Sequence, residues 1–233
     1  MQNISRTKRQ ILRFLLAWIV TAGVAWAQQG SVRPGINDYY MDPDFETWVS
    51  RFESPGREVF DQRHKILAAL DIKPGMAIAD IGAGTGLYTL LFAEKVGSEG
   101  RVYAVDISKV FMENVARRAQ HQGLKNVETI VSTHRDTLLT ASSIDLAFLS
   151  DTYHHFEYPQ DMLASIHKAL KPGGTLVVID FRKQEGVSSD WVVGHVRANR
   201  ALVTKEIEAA GFEFSGHEDW LQTNYFLRFR KKS

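Results

Sequence analysis

The sequence predicts an α/β protein with a seven-stranded, mostly parallel sheet, an antiparallel last strand and helices on both faces. Short apolar runs alternate with helical patterns between residues 76 and 210, and this alternation is typical of parallel sheets covered on both sides. The first run ends in the glycine-rich turn DIGAGTG at 80–86, and a helical pattern begins immediately after it. The last two predicted strands are separated only by a turn, so we expect them to pair antiparallel.

Each element has a local signal. Residues 28–44 are polar and rich in turn pairs such as Pro34-Gly35 and Asp42-Pro43, so we expect a linker with little structure of its own. Helices are expected at 45–53 and 56–71, where apolar residues recur at helical spacing. Strands are predicted at 76–81, 101–106, 127–131, 144–150, 174–181, 212–217 and 224–230, with helices between them at 86–96, 108–122, 160–170 and 200–210. Pro172-Gly173-Gly174 marks the turn into the fifth strand.

The first 27 residues are predicted to be a secretory signal peptide. Four basic residues precede the apolar run at 14–27, and residues 1–27 contain no acid. The run ends in Ala25-Trp26-Ala27. A basic start, a short apolar stretch and small residues at a cleavage position define such signals, and the run is shorter than the ~20 residues of a membrane span. Lys8-Arg9 also resembles part of a twin-arginine signal. We expect an exported, periplasmic or secreted protein with no stable membrane span after cleavage; an uncleaved membrane anchor is the alternative.

Composition limits the classes of function. Cleavage would leave 206 residues with 24 basic and 27 acidic side chains, so no basic surface for nucleic acid is expected. The chain has no cysteine, which excludes disulfides and thiol chemistry. We divide the remainder into a linker and N-terminal cap segment at 28–55 and a single domain at 56–233. The sequence carries no signal of oligomeric state.

The glycine turn is suited to a nucleotide-like ligand. Gly82, Gly84 and Gly86 allow positive φ angles and close approach of a ligand to the backbone, and the next helix offers free N–H groups. A dinucleotide-binding turn would need its third glycine at position 87, which is Leu87. This spacing disfavours a NAD-dependent oxidoreductase.

An acid two residues before three alternating glycines resembles motif I of the class I S-adenosylmethionine (SAM) methyltransferases. A second predicted strand ends in an acid about 20 residues beyond the turn, and the resemblance extends over roughly residues 60–230. It implies a Rossmann-like methyltransferase fold, S-adenosyl-L-methionine as cofactor and a small-molecule methyl acceptor. The cofactor-binding residues that the resemblance implies are Gly82, Ala83, Gly84 and Gly86 near the methionine part, Asp80 near its ammonium, Asp106 on the ribose, Ile107 on the adenine, and Asp151.

The acceptor is expected beyond the end of the fourth strand. Asp151 closes that strand and is followed by Tyr153, His154 and His155, and ligands of open α/β sheets bind beyond the carboxyl ends of the strands. We therefore treat Tyr153, His154 and His155 as candidate catalytic residues, with a histidine as a general base on the acceptor. The alternative is that one histidine packs and Tyr153 lines the cofactor.

Asp151, His154, His155 and His195 carry nitrogen and oxygen atoms of the kind that bind metals. Adjacent histidines in a loop do not form a metal-binding spacing, so no metal site is predicted. A cluster of Trp191, His195, Arg197 and Arg200 could hold an acidic group of the substrate. Residues 52–60 are a candidate lid, with Arg57 or Glu58 facing inward. A non-catalytic SAM-binding or nucleoside-binding protein and a protein methyltransferase remain as alternative functions.

Overall fold

The computed structural model describes residues 30–232, and the predicted signal peptide at 1–27 lies outside them. Its centre is a seven-stranded sheet in the order β3-β2-β1-β4-β5-β7-β6. The strands are β1 (Ala77–Ile81), β2 (Arg101–Asp106), β3 (Val127–Val131), β4 (Ile144–Ser150), β5 (Leu170–Phe181), β6 (Phe212–Glu218) and β7 (Asn224–Lys231). The first five pair in parallel, and β7 lies antiparallel to both β5 and β6. The predicted fold class is confirmed.

The helices surround this sheet. They are α1 (Asp38–Met41), α2 (Phe45–Phe52), α3 (Glu58–Asp61), α4 (Arg63–Ala69), α5 (Leu87–Val96), α6 (Lys109–His121), α7 (Pro159–Ala169), α8 (Asp190–His195) and α9 (Arg200–Ala209), with a single 3₁₀ turn at Tyr153–His155. Within residues 30–232, none of the helices combines the length and the apolar character that crossing a membrane requires.

Two apolar cores lie on opposite faces of the sheet. On one face, α4 and α5 pack on alternate sheet residues such as Ile78 and Phe148. On the other face, α7 and α9 pack on the residues between them, such as Ala79 and Leu149. Neighbouring residues of one strand point to opposite faces, which is why β1 and β4 read as continuous apolar runs rather than as alternating patterns.

The predicted helix at 56–71 is divided into α3 and α4. The Tyr88 hydroxyl donates to the Val59 carbonyl at 2.6 Å, and the Arg63 guanidinium donates to the Phe60 carbonyl at 2.8 Å. These side chains occupy carbonyls that a continuous helix would use for its own ladder.

Two further predictions differ from the structure. β5 begins at Leu170, and the predicted Pro172-Gly173-Gly174 turn lies inside it, where the pairing with β4 shifts register; Gly173 has a φ of 74°, as a bulge requires. The helix α8 was not predicted. It is only six residues long, too short to show a clear helical period.

Residues 30–44 of the expected linker at 28–44 pack against the domain. Val32 donates its N–H to the Glu157 carbonyl at 2.9 Å, and the Ser31 hydroxyl donates to the Glu157 carboxylate at 2.8 Å. Asn37 is buried and donates to the His155 carbonyl at 3.1 Å. The prediction of little structure is wrong, because these polar side chains bind the domain instead of solvent.

Candidate functional site

A cavity of about 560 Å³ lies where β1, β2 and β4 end. In the strand order, β2 and β4 lie on opposite sides of β1. Ligands of open α/β sheets bind beyond the carboxyl ends of the strands at such a change of direction. The glycine turn forms one wall, the Tyr153–His155 turn forms another, and the N-terminal helices α1 and α2 cover it. Aromatic side chains from the covering helices line the cavity: Tyr39, Tyr40, Trp48 and Phe52.

The glycine turn has the backbone that its sequence predicts. Gly82 has a φ of 72°, and a Cβ there would lie 2.2 Å from the Thr152 side chain. Gly84 has a φ of 53°, and a Cβ there would lie 3.3 Å from the Phe52 ring. Ala83, the residue between them, also lines the cavity. Only glycine therefore allows the turn to approach Thr152 and the Phe52 ring of the cover this closely.

Gly86 has a different role from its two neighbours. It does not line the cavity. Its φ is 86°, and a Cβ there would lie 2.8 Å from the Val115 side chain. Gly86 thus permits α5 and α6 to pack closely, whereas Gly82 and Gly84 shape the binding surface.

Asp106 ends β2 and faces the cavity. Its Oδ2 accepts the Gly84 N–H at 2.9 Å, and its Oδ1 accepts the Ser108 N–H at 2.9 Å. Burial raises the pKa of this carboxyl, and the backbone donors oppose the rise. A carboxylate offers about four lone-pair positions, so each oxygen can still accept one hydroxyl. This arrangement fits a ribose diol, and Ile107 beside it lines the same part of the cavity.

Asp80 ends β1 below the glycine turn. Its Oδ2 accepts the Thr89 hydroxyl at 2.6 Å. Burial, with a smaller contribution from the neighbouring Asp106, raises the pKa of Asp80 to about 7, although hydrogen bonds from Thr89 oppose the rise. A buried carboxyl of this kind is stabilised in its charged form by a cation. The ammonium of a methionine group would supply that cation.

The end of β4 contributes polar groups to the same cavity. The Ser150 hydroxyl lines it and is buried without a hydrogen-bond partner among the described residues. Asp151 follows with a φ of 50°. Its carboxylate accepts from the Arg57 guanidinium at 2.9 Å and from the Asn224 amide at 2.6 Å. The cavity therefore has an unpaired hydroxyl that a polar ligand can satisfy, and SAM fits the residues present.

The candidate lid is fixed at two points. Arg57 lines the cavity through its ion pair with Asp151. Glu58 points elsewhere: its carboxylate accepts the backbone N–H groups of Gln222, Thr223 and Asn224. Only Arg57 of the two candidates faces inward.

Three histidines meet in the part of the cavity wall formed by the turn after β4 and by α8. His154 and His155 belong to the 3₁₀ turn after β4, and His195 ends α8. All three line the cavity. Burial lowers the pKa of His155 to about 2, and it lowers the pKa of His195 to about 4. Both rings are therefore neutral at physiological pH.

His154 is held by a carboxylate that the sequence did not suggest. Asp180, near the end of β5, accepts the His154 backbone N–H at 2.9 Å and lies 2.7 Å from its Nδ1. Both side chains are almost fully buried. Because the Asp180 carboxylate accepts, Nδ1 is the nitrogen that donates to it, and Nε2 is left for another partner.

Tyr153 does not reach the cavity. Its side chain is completely buried, and its hydroxyl donates to Glu206 at 2.7 Å. Arg197 also binds Glu206, through two hydrogen bonds of 2.8 and 2.6 Å. Arg197 is thus paired inside the fold, and Arg200 does not line the cavity. Of the predicted acid-binding cluster, only Trp191 and His195 face the site.

The sequence interpretation missed the aromatic cover, Ser150 and Asp180. A signal for the cover exists, since residues 39–52 contain two tyrosines, two phenylalanines and a tryptophan. Asp180 ends an apolar strand next to β4, and the carboxyl ends of neighbouring parallel strands meet at one edge. Nothing in the local sequence marks Ser150 apart from its position at the end of β4.

Comparisons with known proteins agree with this geometry. A family model described as a methyltransferase domain matches residues 72–229. A ubiquinone/menaquinone biosynthesis C-methyltransferase of Hydrogenovibrio crunogenus is 31% identical over 123 residues, which are 52% of this chain and 48% of that protein. Phosphoethanolamine N-methyltransferase 2 of Caenorhabditis elegans is 28% identical over 158 residues, which are 67% of this chain and 35% of that protein. The chain thus spans half or less of the length of these two relatives.

A solved structure gives the same result for the fold. The crystal structure of a SAM dependent methyltransferase from Aquifex aeolicus has a TM-score of 0.71 and 25% identity, covering 79% of this chain and 97% of that one. The matched family model includes the glycine turn, both buried acids and the end of β4. The chain therefore belongs to the methyltransferase-domain family, as a member of the class I S-adenosylmethionine-dependent methyltransferases that its glycine turn resembles.

Proposed function

We propose that the protein transfers a methyl group from SAM to a small, flat aromatic acceptor. The observation that supports this most is the division of one cavity into two chemically different ends. One end has the glycine turn, Asp80 and Asp106, which suit the cofactor. The other end has histidines framed by aromatic rings, which suit an acceptor.

The rings at the acceptor end favour a planar molecule. Tyr40 meets the edge of His155 at a centroid distance of 5.0 Å, and Trp191 stacks on His195 at 4.5 Å. Phe181 lies against Trp191 at 5.5 Å. Aromatic faces bind flat apolar rings through area and stacking. A quinol-type ring is our preferred acceptor, since the Hydrogenovibrio relative is named for quinone biosynthesis.

The protein contributes to the reaction by positioning SAM and the acceptor. SAM supplies an activated methyl on sulfur. The Gly84 backbone and Asp106 would fix the nucleoside part, Asp80 would hold the ammonium, and the aromatic cover would exclude water. Aligning acceptor, methyl carbon and sulfur in this way can lower the barrier by about 7–11 kcal/mol. In this proposal His154 and His155 contact the acceptor; Tyr153 has no part, because its hydroxyl is bound to Glu206.

The test combines binding and turnover on the chain from residue 28 onward. We expect SAM, and not NAD, to bind in calorimetry. We expect S-adenosylhomocysteine to form with phenols or quinols as acceptors, but not with peptides. Asp106→Ala should weaken SAM binding by about 1.5–3 kcal/mol, roughly 10- to 150-fold. Glu113→Ala, on the exposed side of α6, is the control and should bind as wild type. SAM binding without product from any acceptor would favour a non-catalytic binding protein, and product only with peptides would favour a protein methyltransferase.

We also propose that the protein acts outside the cytoplasm, in the cell envelope. The support is the basic start, the short apolar run and the Ala25-Trp26-Ala27 site of the first 27 residues. An uncleaved anchor would place the same domain at the membrane surface, and the protein's mature terminus distinguishes the two.

A further inference from the structure

Three imidazoles converge beside the acceptor end of the cavity. His154, His155 and His195 each offer a ring nitrogen, and these nitrogens lie within 4.8 Å of one another. The ring centroids are 4.2 Å apart for His154 and His155, and 5.1 and 5.3 Å from these two to His195. The residues come from two separate elements, so this convergence is a property of the tertiary fold.

The ring nitrogens that lack partners are the ones that a ligand would use. His155 Nδ1 and His195 Nε2 are buried and have no hydrogen-bond partner within residues 30–232. Buried polar atoms are nearly always paired, so two unpaired nitrogens in one cluster need an explanation. His154 Nδ1 is hydrogen-bonded to Asp180, so its Nε2 is the third nitrogen that could bind a ligand.

Asp180 gives His154 the arrangement of a metal ligand. A histidine that binds a metal through one nitrogen usually donates its other N–H to a carboxylate or carbonyl, which fixes the ring and raises its basicity. Asp180 is itself held, since its carboxylate also accepts the backbone N–H groups of His154 and Phe181. The ring of His154 is therefore fixed before any ligand arrives.

The local charges are compatible with a cation. Arg33, which donates to the Gly194 carbonyl at 3.0 Å, opposes a cation. Asp180, whose carboxylate is buried against His154, offsets it.

We propose that His154, His155 and His195 bind a divalent transition metal, with Zn²⁺ as the best match, and leave one coordination position open to the cavity. Three imidazoles with an open position are typical of catalytic zinc sites, and neutral imidazole favours Zn, Cu, Fe or Ni over Mg or Ca. Tetrahedral zinc needs ligand nitrogens about 3.4 Å apart, so modest ring rotations would close the site.

The role of the metal rests on the proposed methyl transfer. The open position would take the hydroxyl oxygen of the acceptor. The O–H bond breaks, an oxygen–metal bond forms, and the proton leaves to water at the cavity mouth. The metal-bound oxygen of the acceptor, now an anion, forms a bond to the methyl carbon while the carbon–sulfur bond breaks and its electron pair stays on sulfur, which gives a methyl ether and S-adenosylhomocysteine.

Metal binding can be measured without SAM or acceptor. The chain from residue 28 onward, freed of any histidine tag and treated with a chelator, is titrated with Zn²⁺ in competition with a coloured chelator, and with Co²⁺ followed by visible absorption. We expect one equivalent of metal per chain. His155→Ala and His195→Ala should each lower Zn²⁺ affinity at least 100-fold, and Asp180→Asn should lower it about 10- to 100-fold.

His64→Ala and His121→Ala are matched controls, because both rings are on the exposed surface of helices; they should bind one equivalent as wild type. SAM affinity on the same preparations verifies folding, and His195→Ala at the end of α8 is informative even where a substitution of the buried His154 does not fold. Wild-type affinity no higher than that of His195→Ala would overturn the site and leave the rings as packing groups. Metal binding without SAM binding would overturn the proposed function alone, and SAM-dependent transfer without metal binding would overturn the metal site alone.

Discussion

Asp80 and Asp106 show how position alone makes two acids different. Both end parallel neighbouring strands, and both are buried. Asp106 accepts the backbone N–H groups of two residues, Gly84 and Ser108, whereas Asp80 accepts hydrogen bonds from one residue, Thr89. Fewer donors leave Asp80 dependent on burial, which raises its pKa to about 7. Asp80 is therefore the acid that an incoming cation affects most.

We predict that SAM affinity falls as pH drops below 7 and that Asp80 causes the fall. The charged carboxylate binds the ammonium, and below its pKa of about 7 each pH unit should cost up to about tenfold in affinity. Calorimetry between pH 5.5 and 7.5 measures this slope. Asp80→Asn should bind SAM more weakly at pH 7.5 and lose most of the slope. An unchanged slope in Asp80→Asn would assign the effect to another group, such as Asp106.

The raised pKa of Asp80 also predicts how the free energy of unfolding changes with pH. The folded pKa of Asp80 lies above the unfolded value of about 3.9, so the native state binds more protons between those values. The contribution of Asp80 is favourable below pH 4 and is lost as pH rises through 7. In the absence of SAM, the free energy of unfolding of Asp80→Asn should therefore increase relative to that of wild type as pH rises from 5 to 8. Denaturant unfolding at each pH measures this difference.

At the scale of elements, the N-terminal helices complete the site. Glu53, directly after α2, accepts from the Arg118 guanidinium at 2.5 and 3.0 Å and from the Thr85 hydroxyl at 2.7 Å. Trp48 and Phe52 pack beside each other with centroids 4.9 Å apart. The cover is thus tied to both the glycine turn and α6, and it belongs to the binding site rather than to a linker.

Gly86 gives a prediction about element packing. Gly86→Ala should destabilise the protein by about 1–2 kcal/mol for the positive φ and by about 1–3 kcal/mol more for the contact with Val115. Gly123→Ala is the control, because Gly123 has a φ of 70° but open space around it. Thermal and denaturant unfolding measure both variants.

Val115→Ala in the Gly86→Ala background should restore the stability lost through the contact between the new Cβ and Val115, about 1–3 kcal/mol. A double-mutant cycle isolates the coupling between the two positions. Equal losses in Gly86→Ala and Gly123→Ala would mean that α5 and α6 can separate freely, contrary to the packing seen here.

For the whole molecule, the testable property is its mature terminus. We predict that protein recovered from the envelope of its native host begins at Gln28, because cleavage follows Ala25-Trp26-Ala27. Intact-mass spectrometry measures this directly. Substitution of Ala27 by a bulky residue should cause the precursor to accumulate, whereas substitution of Gln29 should not. A chain that keeps residues 1–27 at the membrane would support the anchor, and a full-length cytoplasmic species alone would contradict export.

Local sequence was sufficient for the sheet and for the cofactor end of the site. Strand and helix periods, the glycine spacing and the acids that end β1 and β2 are all encoded within short segments. Parallel strands bring their carboxyl ends to one edge, so Asp80, Gly82, Gly84 and Asp106 could be placed together without coordinates.

The acceptor end was decided by tertiary structure. The short turn after β4 sends Tyr153 into the core toward Glu206 and turns His154 and His155 to the cavity, a choice that no periodicity reveals. The sequence by itself determined the sheet, the glycine turn and the two acids, because these depend on backbone conformation and strand order. Only the fold brought α8 and His195 to the histidine pair, since contacts between residues forty positions apart depend on how helices pack, not on local pattern.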